Sequence, residues 1–195
     1  MNRRYAVFLL LATVGAIGEP PQTAQPANSD NRPETVVRSL YHEVVVRAPS
    51  GLLDGSNARI FAPFLSGSLL RKIEVARSCE RDWFRQNRGR PVKAPFSWSE
   101  AGIFSGPNER TYPGDFHIES TQAEKNGAFR VVVSFTYRPI DGPGSWRVTD
   151  LMVREDGRFV LDEVMFPKDE TRDVDLTLSE ILSEGCDGSH WVGVR

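Results

Sequence analysis

Apolar residues at 36, 37, 40, 41, 44 and 45 set a helical period over PETVVRSLYHEVVVRAP (33–49), with Pro33 in the first turn and Pro49 beyond the end. Its valines lower intrinsic propensity, but the period assigns a helix. GLLDGSN (51–57) breaks the chain, and a short second helix is predicted over 58–65 around Ile60, Phe61, Phe64 and Leu65. Ser66 is placed to cap a third, SGSLLRKIEVARSCERDWFRQN, which keeps positions 69, 70, 73, 76, 83 and 84 on one face with Cys79. From residue 91 the pattern changes to turns and strands. PVKAPFSWSEAGIFSGPNERTYPG is loop-rich, with Phe96, Trp98, Ile103 and Phe104 as anchors. DFHIESTQAEKNGAFRVVVSFTYRP reads as a hairpin turning at Asn126-Gly127, a type I′ signal. Its register sets Phe116 opposite Tyr137, Ile118 opposite Phe135 and Ser120 opposite Val133; the other face carries His117 opposite Thr136 and Glu119 opposite Ser134. DGPG (141–144) turns the chain into a second hairpin, closed at Asp156-Gly157, and a short helix is expected near 176–184. Three helices followed by hairpin-joined antiparallel strands is an α+β layout, with the helices packed on one face of a curved sheet.

The second hairpin poses a chemical question. A type I′ turn at Asp156-Gly157 pairs Glu155 with Arg158, and the register then sets Met152 opposite Leu161 and Val148 opposite Met165. Between them Asp150 falls opposite Glu163, on a face otherwise made of Trp146, Val148, Met152, Leu161 and Met165. Like charges at that spacing repel, so either water reaches the pair or something is bound there. In a dry pocket one of the two carboxyls would hold its proton. The simpler expectation puts both acids on a solvated face, screened by Arg147, Arg154 or Arg158 and titrating near 4, as exposed carboxylates do. Leu151, Val153, Val160, Val164 and Phe166 then face the helices.

The N-terminus adds a compartment. Met1-Asn2-Arg3-Arg4 is a positive stretch before an apolar run from Tyr5 to Ile17, too short to span a bilayer and the right length for a signal peptide. Small residues at 16 and 18 suit cleavage after Gly18, so the mature chain is expected to begin near Glu19; an uncleaved anchor is the alternative. Residues 19–32, rich in Pro, Gln, Asn and Ser, read as a flexible leader, 33–168 as the folded domain and 169–195 as an acidic tail. Export gives meaning to the two cysteines, Cys79 and Cys186: an oxidising compartment favours a disulfide between them, with two free thiols as the alternative. A net charge of −2 over 195 residues, with no Lys/Arg cluster, argues against a nucleic-acid partner. After cleavage nothing in the chain calls for a membrane.

Three segments together resemble the nuclear transport factor 2-like superfamily, a cone-shaped α+β fold: the YHEVV helix, the FHIESTQAEKNGAFRVVVSFTY hairpin and the closing SWRVTDLMVREDGRFVLDEVMF hairpin. The likeness covers about 33–167 and is closest to exported bacterial branches of unknown function. The superfamily contains isomerases, dehydratases and hydrolases beside many pure binding modules, so fold alone does not choose a function. Its ligands usually sit in the mouth of the cone, and relatives often pair through the open sheet face, which allows a homodimer here.

The site candidates follow from both readings. Asp150 and Glu163 are the candidate catalytic pair, a general acid and base of the kind the superfamily's ketosteroid isomerases use, with Tyr41 or His42 on the first helix as a proton donor. Tyr41, Trp98, Trp146, His117 and Glu119 are candidate binding residues, although Phe96, Trp98, Phe104, Phe116, Tyr137 and Trp146 read first as core. His42-Glu43 begins like a zinc HExxH motif but Val46 stands where the second ligand belongs, so no metal is assigned. His117 and Glu119 share a strand face and could form a metal site or a hydrogen-bonded pair; the sequence names no partner for His190. There is no nucleophile elbow, no Ser-x-x-Lys and no His beside either cysteine. The chain is therefore read as an exported, non-catalytic binding or interaction domain without cofactor, for a small apolar ligand or a protein partner. The alternatives are a small cofactor-free acid–base enzyme using Asp150 and Glu163, and an immunity or inhibitor protein.

Overall fold

The computed structural model describes residues 31–99, 102–106, 112–138, 144–168 and 174–193; the expected signal peptide, most of the leader and most of the 141–144 turn lie outside them. The helical period at the start gives α1, Pro33–Arg47, with Pro at its first turn and Ala48 ending it in the left-handed region at φ 44°. α2 spans Gly55–Phe61 and runs into a 3-10 turn at Ala62–Phe64, so the second predicted helix begins three residues early and tightens at its end. α3 spans Gly67–Gln86, and the Ser66 hydroxyl accepts the Leu69 N–H at 2.9 Å as its N-cap. Four long strands form a meander: β1 Pro113–Ala123, β2 Phe129–Tyr137, β3 Ser145–Glu155 and β4 Arg158–Phe166, with the short β5 Leu176–Thr177 beside β4. α4, Leu178–Ser183, opens on a full capping box between Thr177 and Glu180, and a small ribbon, β6 Cys186–Asp187 with β7 His190–Trp191, ends the described chain. The class is α+β, with four α-helices and an open five-stranded antiparallel sheet among the described residues.

The tail is tied down twice. Cys79, buried in α3, is bonded to Cys186 with an Sγ–Sγ distance of 2.06 Å. Beside the bridge, Asp82 accepts the Trp191 N–H at 2.9 Å, the Arg85 guanidinium at 2.6 Å and the Gln86 amide at 2.9 Å. Those bonds, the Trp191 N–H first, hold the Asp82 carboxyl below its usual range. The bridge and the lack, among the described residues, of a helix long and apolar enough to cross a membrane are compatible with an extracellular location.

The turn at Asp156-Gly157 has φ 49° and 78°, the type I′ geometry expected, and Glu155 pairs with Arg158. The Asn126-Gly127 turn differs. There the Glu124 N–H donates to the Ala128 carbonyl at 2.8 Å, closing a three-residue loop in which Gly127 but not Asn126 has positive φ. One extra loop residue and a bulge at Glu119 move the register: Phe116 pairs with Phe135, Ile118 with Val133 and Ser120 with Val132. Nothing lies within 4 Å of a Cβ added at Gly157, so Gly157→Val tests backbone strain alone. It should lower stability by about 1–3 kcal/mol, read by urea denaturation; an unchanged midpoint would mean a different turn.

A second bulge matters most. The first hairpin pairs hold as far as Met152 with Leu161, but then Leu151 pairs with Glu163, Asp150 with Val164 and Thr149 with Met165. Asp162 is the extra residue. The chain entering α3 explains it: the Ser66 N–H donates to the Leu161 carbonyl at 2.8 Å and the Ser66 hydroxyl to the Asp162 carboxylate at 2.6 Å. Ser66 therefore caps α3 and holds the bulge at once. Beyond it Val164 and Phe166 replace Glu163 and Met165 on the inner face.

Candidate functional site

β3 runs without a bulge from Trp146 to Leu151, so Asp150 must share the inner face with Val148 and Met152. Its cross-strand neighbours are Val131 on β2 and Val164 on β4, and all three are fully buried. α1 lies over this face, and Tyr41, one of its buried residues, packs edge-on against Phe135 with ring centroids 4.9 Å apart. Its hydroxyl lies 2.7 Å from Asp150 Oδ1 and 3.3 Å from the Phe104 carbonyl. Asp150 Oδ2 has no hydrogen-bond partner among the described residues.

This environment decides the charge. Burial pushes the Asp150 carboxyl up to about 8, against a smaller opposite pull from the Tyr41 hydrogen bond. Tyr41 is raised well above its usual range, by burial first and by the Asp150 charge second. At neutral pH both groups keep their protons. A neutral Asp150 can donate to Tyr41 Oη while Tyr41 donates to the Phe104 carbonyl; an ionised Asp150 must take the Tyr41 proton for itself. Tyr41→Phe removes the one side-chain partner this carboxyl has among the described residues, and should destabilise the fold by about 1–3 kcal/mol in denaturant titration. A loss below a few tenths would mean that the bond contributes nothing.

The expected carboxylate pair is not formed. The Asp162 bulge turns Glu163 to the opposite face, where it accepts the Ser179 N–H at 3.0 Å and the Ser179 hydroxyl and lies 3.6 Å from Lys72 Nζ. It staples the first turn of α4 to β4. The solvated-face expectation fails as well for Asp150, which is 0% exposed. What the inner face needed was Tyr41, a hydroxyl rather than a second acid.

The segment 102–106 closes this end of the core. Ile103, Phe104 and Ser105 are buried, and the Trp146 indole N–H donates to the Ser105 carbonyl at 2.5 Å. Gly102 forms a bridge with Gly51 and lies so close to the Pro49 carbonyl that a Cβ there would stand 3.0 Å from it. Sequence reading marked Phe104 as an anchor but missed that its backbone carbonyl completes the Tyr41 site; backbone acceptors leave no trace in residue type.

The other candidates are scattered. Trp98 is buried and stacked on Phe96 at 4.7 Å, and Trp146 is half-buried against Phe135 and Tyr137, so both belong to the packing. His117 and Glu119 do not pair: His117 is exposed opposite Ser134, and Glu119, the bulged residue, takes the Arg147 guanidinium at 2.8 Å. His42 is exposed on α1, and His190 lies 3.8 Å from Asp82. Among the described residues no group of three His, Cys, Asp or Glu side chains could hold a metal ion. The described cavities open elsewhere: one between α3 and α4, one beside Asn31 and Phe64, and one around Gly185. Comparison of the chain with protein-family models, curated proteins and solved structures found no match.

Proposed function

We propose that the protein is an exported binding or interaction domain with the nuclear transport factor 2-like cone, acting through its surface and catalysing no reaction. The closed interior carries this reading. Tyr41, Phe61, Phe104, Phe135, Met152 and Asp150 are all fully buried, and an acid–base catalyst must meet its substrate at the proton it moves. Asp150 meets Tyr41 instead, and the second acid of the proposed pair faces away. Its partner is a small apolar ligand or a protein; an immunity or inhibitor role fits the same reading, as does a homodimer through the outer sheet face around Val132, Leu151 and Val153.

A second reading, a cofactor-free enzyme, is favoured by one observation: Asp150 Oδ2 has no partner among the described residues, as a donor awaiting a substrate oxygen would. It requires the 102–106 segment to lift. Methyl NMR of the exported chain against a set of small apolar ketones and alcohols separates the two. The binding-domain reading expects the Val148 and Met152 methyl signals to stay fixed; saturable shifts of both would overturn it in favour of the enzyme.

A further inference from the structure

Between α3 and α4 lies a groove of about 280 Å³, close to the lower end of ligand-site volumes. Val75, 44% exposed, Leu182 and Cys186 give it an apolar lining, and Arg71 and Lys72 stand at it with Ser68 and Ser183. Its two cations are engaged differently. Lys72 donates to Ser179 Oγ at 2.6 Å and has Glu163 at 3.6 Å. Glu155, whose carboxylate lies near Gly67 as Arg71 does, accepts the Gly67 N–H at 3.0 Å. Among the described residues Arg71 makes neither an ion pair nor a hydrogen bond, and a guanidinium is the side chain best shaped to hold a carboxylate by two parallel bonds. An exposed valine beside a guanidinium without a direct bond suits a ligand that is apolar at one end and anionic at the other.

We infer that this groove binds a small free amphiphile, a short alkyl chain ending in a carboxylate, with the carboxylate on Arg71 and the chain along Val75 and Leu182. The volume is that of about nine liquid waters, which suits a chain of roughly eight carbons. The inference rests on the binding-domain reading and gives it a site and a ligand class.

The probe is sodium octanoate, titrated into the exported chain while the Val75 and Leu182 methyl signals are followed, with 1-octanol as the neutral control. Octanoate should shift both signals saturably and bind at least fivefold more tightly than octanol. Arg71→Gln, at an exposed position, should leave the rest of the spectrum unchanged and weaken octanoate at least fivefold while leaving octanol as it was. No saturable shift at Val75 and Leu182, equal binding of octanol, or undiminished binding by Arg71→Gln overturns the inference. These signals are separate from those of Val148 and Met152, so failure of the groove and failure of the closed interior are read independently.

Discussion

Asp150→Asn should stabilise the protein at pH 7 and flatten the fall of its stability between about pH 4 and about pH 8. The sign follows from proton binding. In the unfolded chain Asp150 releases its proton near 4, and in the fold it keeps it to about 8. Between those values the folded state binds more protons than the unfolded one, so stability falls as pH rises, by about 1.4 kcal/mol per pH unit. By pH 7 the burial of this acid has removed about 4 kcal/mol of the stability present in acid. An amide carries no such dependence. It brings instead one N–H beyond what the site can satisfy, which costs about 1–3 kcal/mol, so the net gain expected at pH 7 is about 1–3 kcal/mol. Urea denaturation of both proteins from pH 4 to pH 9 checks it: the two curves should diverge with rising pH and run parallel above pH 8. Parallel curves throughout would place Asp150 in water.

The second large effect is loss of the Cys79–Cys186 bridge. The cysteines are 107 residues apart in sequence, and a cross-link closing a loop of that size contributes about 4–5 kcal/mol in the chain-entropy account. The double variant Cys79→Ala, Cys186→Ala should therefore lose about 3–5 kcal/mol, a melting temperature lower by about 6–20 °C for a chain of this length. Because Cys79 lies in the packed face of α3, part of the loss is local packing. Reducing the native protein separates the terms, since both sulfurs remain: most of the destabilisation should persist after reduction. Two freely alkylatable thiols in the native protein would remove the bridge from the account.

Much of this fold was legible in the sequence because its signals are local. The period of α1, the Ser66 cap, the Asp156-Gly157 turn and the α4 segment each need only neighbouring residues. The bulges needed a different look at the same letters. In β4 the inward residues are Phe159 and Leu161 before Asp162 but Val164 and Phe166 after it, a change of phase that a strict two-residue alternation cannot make. β1 shifts in the same way between Ile118 and Thr121. Extending an ideal register through these points is what put Glu163 opposite Asp150. The reason for the β4 bulge, Ser66 taking its bonds to Leu161 and Asp162 from 96 residues away in sequence, is a tertiary contact with no local signature. Tyr41 was legible as a donor on α1; that it would meet Asp150, and that the Phe104 carbonyl would close the site, was not.

Asp150 is a neutral carboxyl sealed in the core and held by Tyr41. Carbon-13 NMR titration of its side-chain carboxyl tests this most directly, with the Tyr41→Phe protein followed in parallel. One transition is expected near pH 8, with a midpoint still higher in Tyr41→Phe, since the hydroxyl favours the ionised form. A transition near 4 in the native protein, where an exposed aspartate titrates, would contradict it.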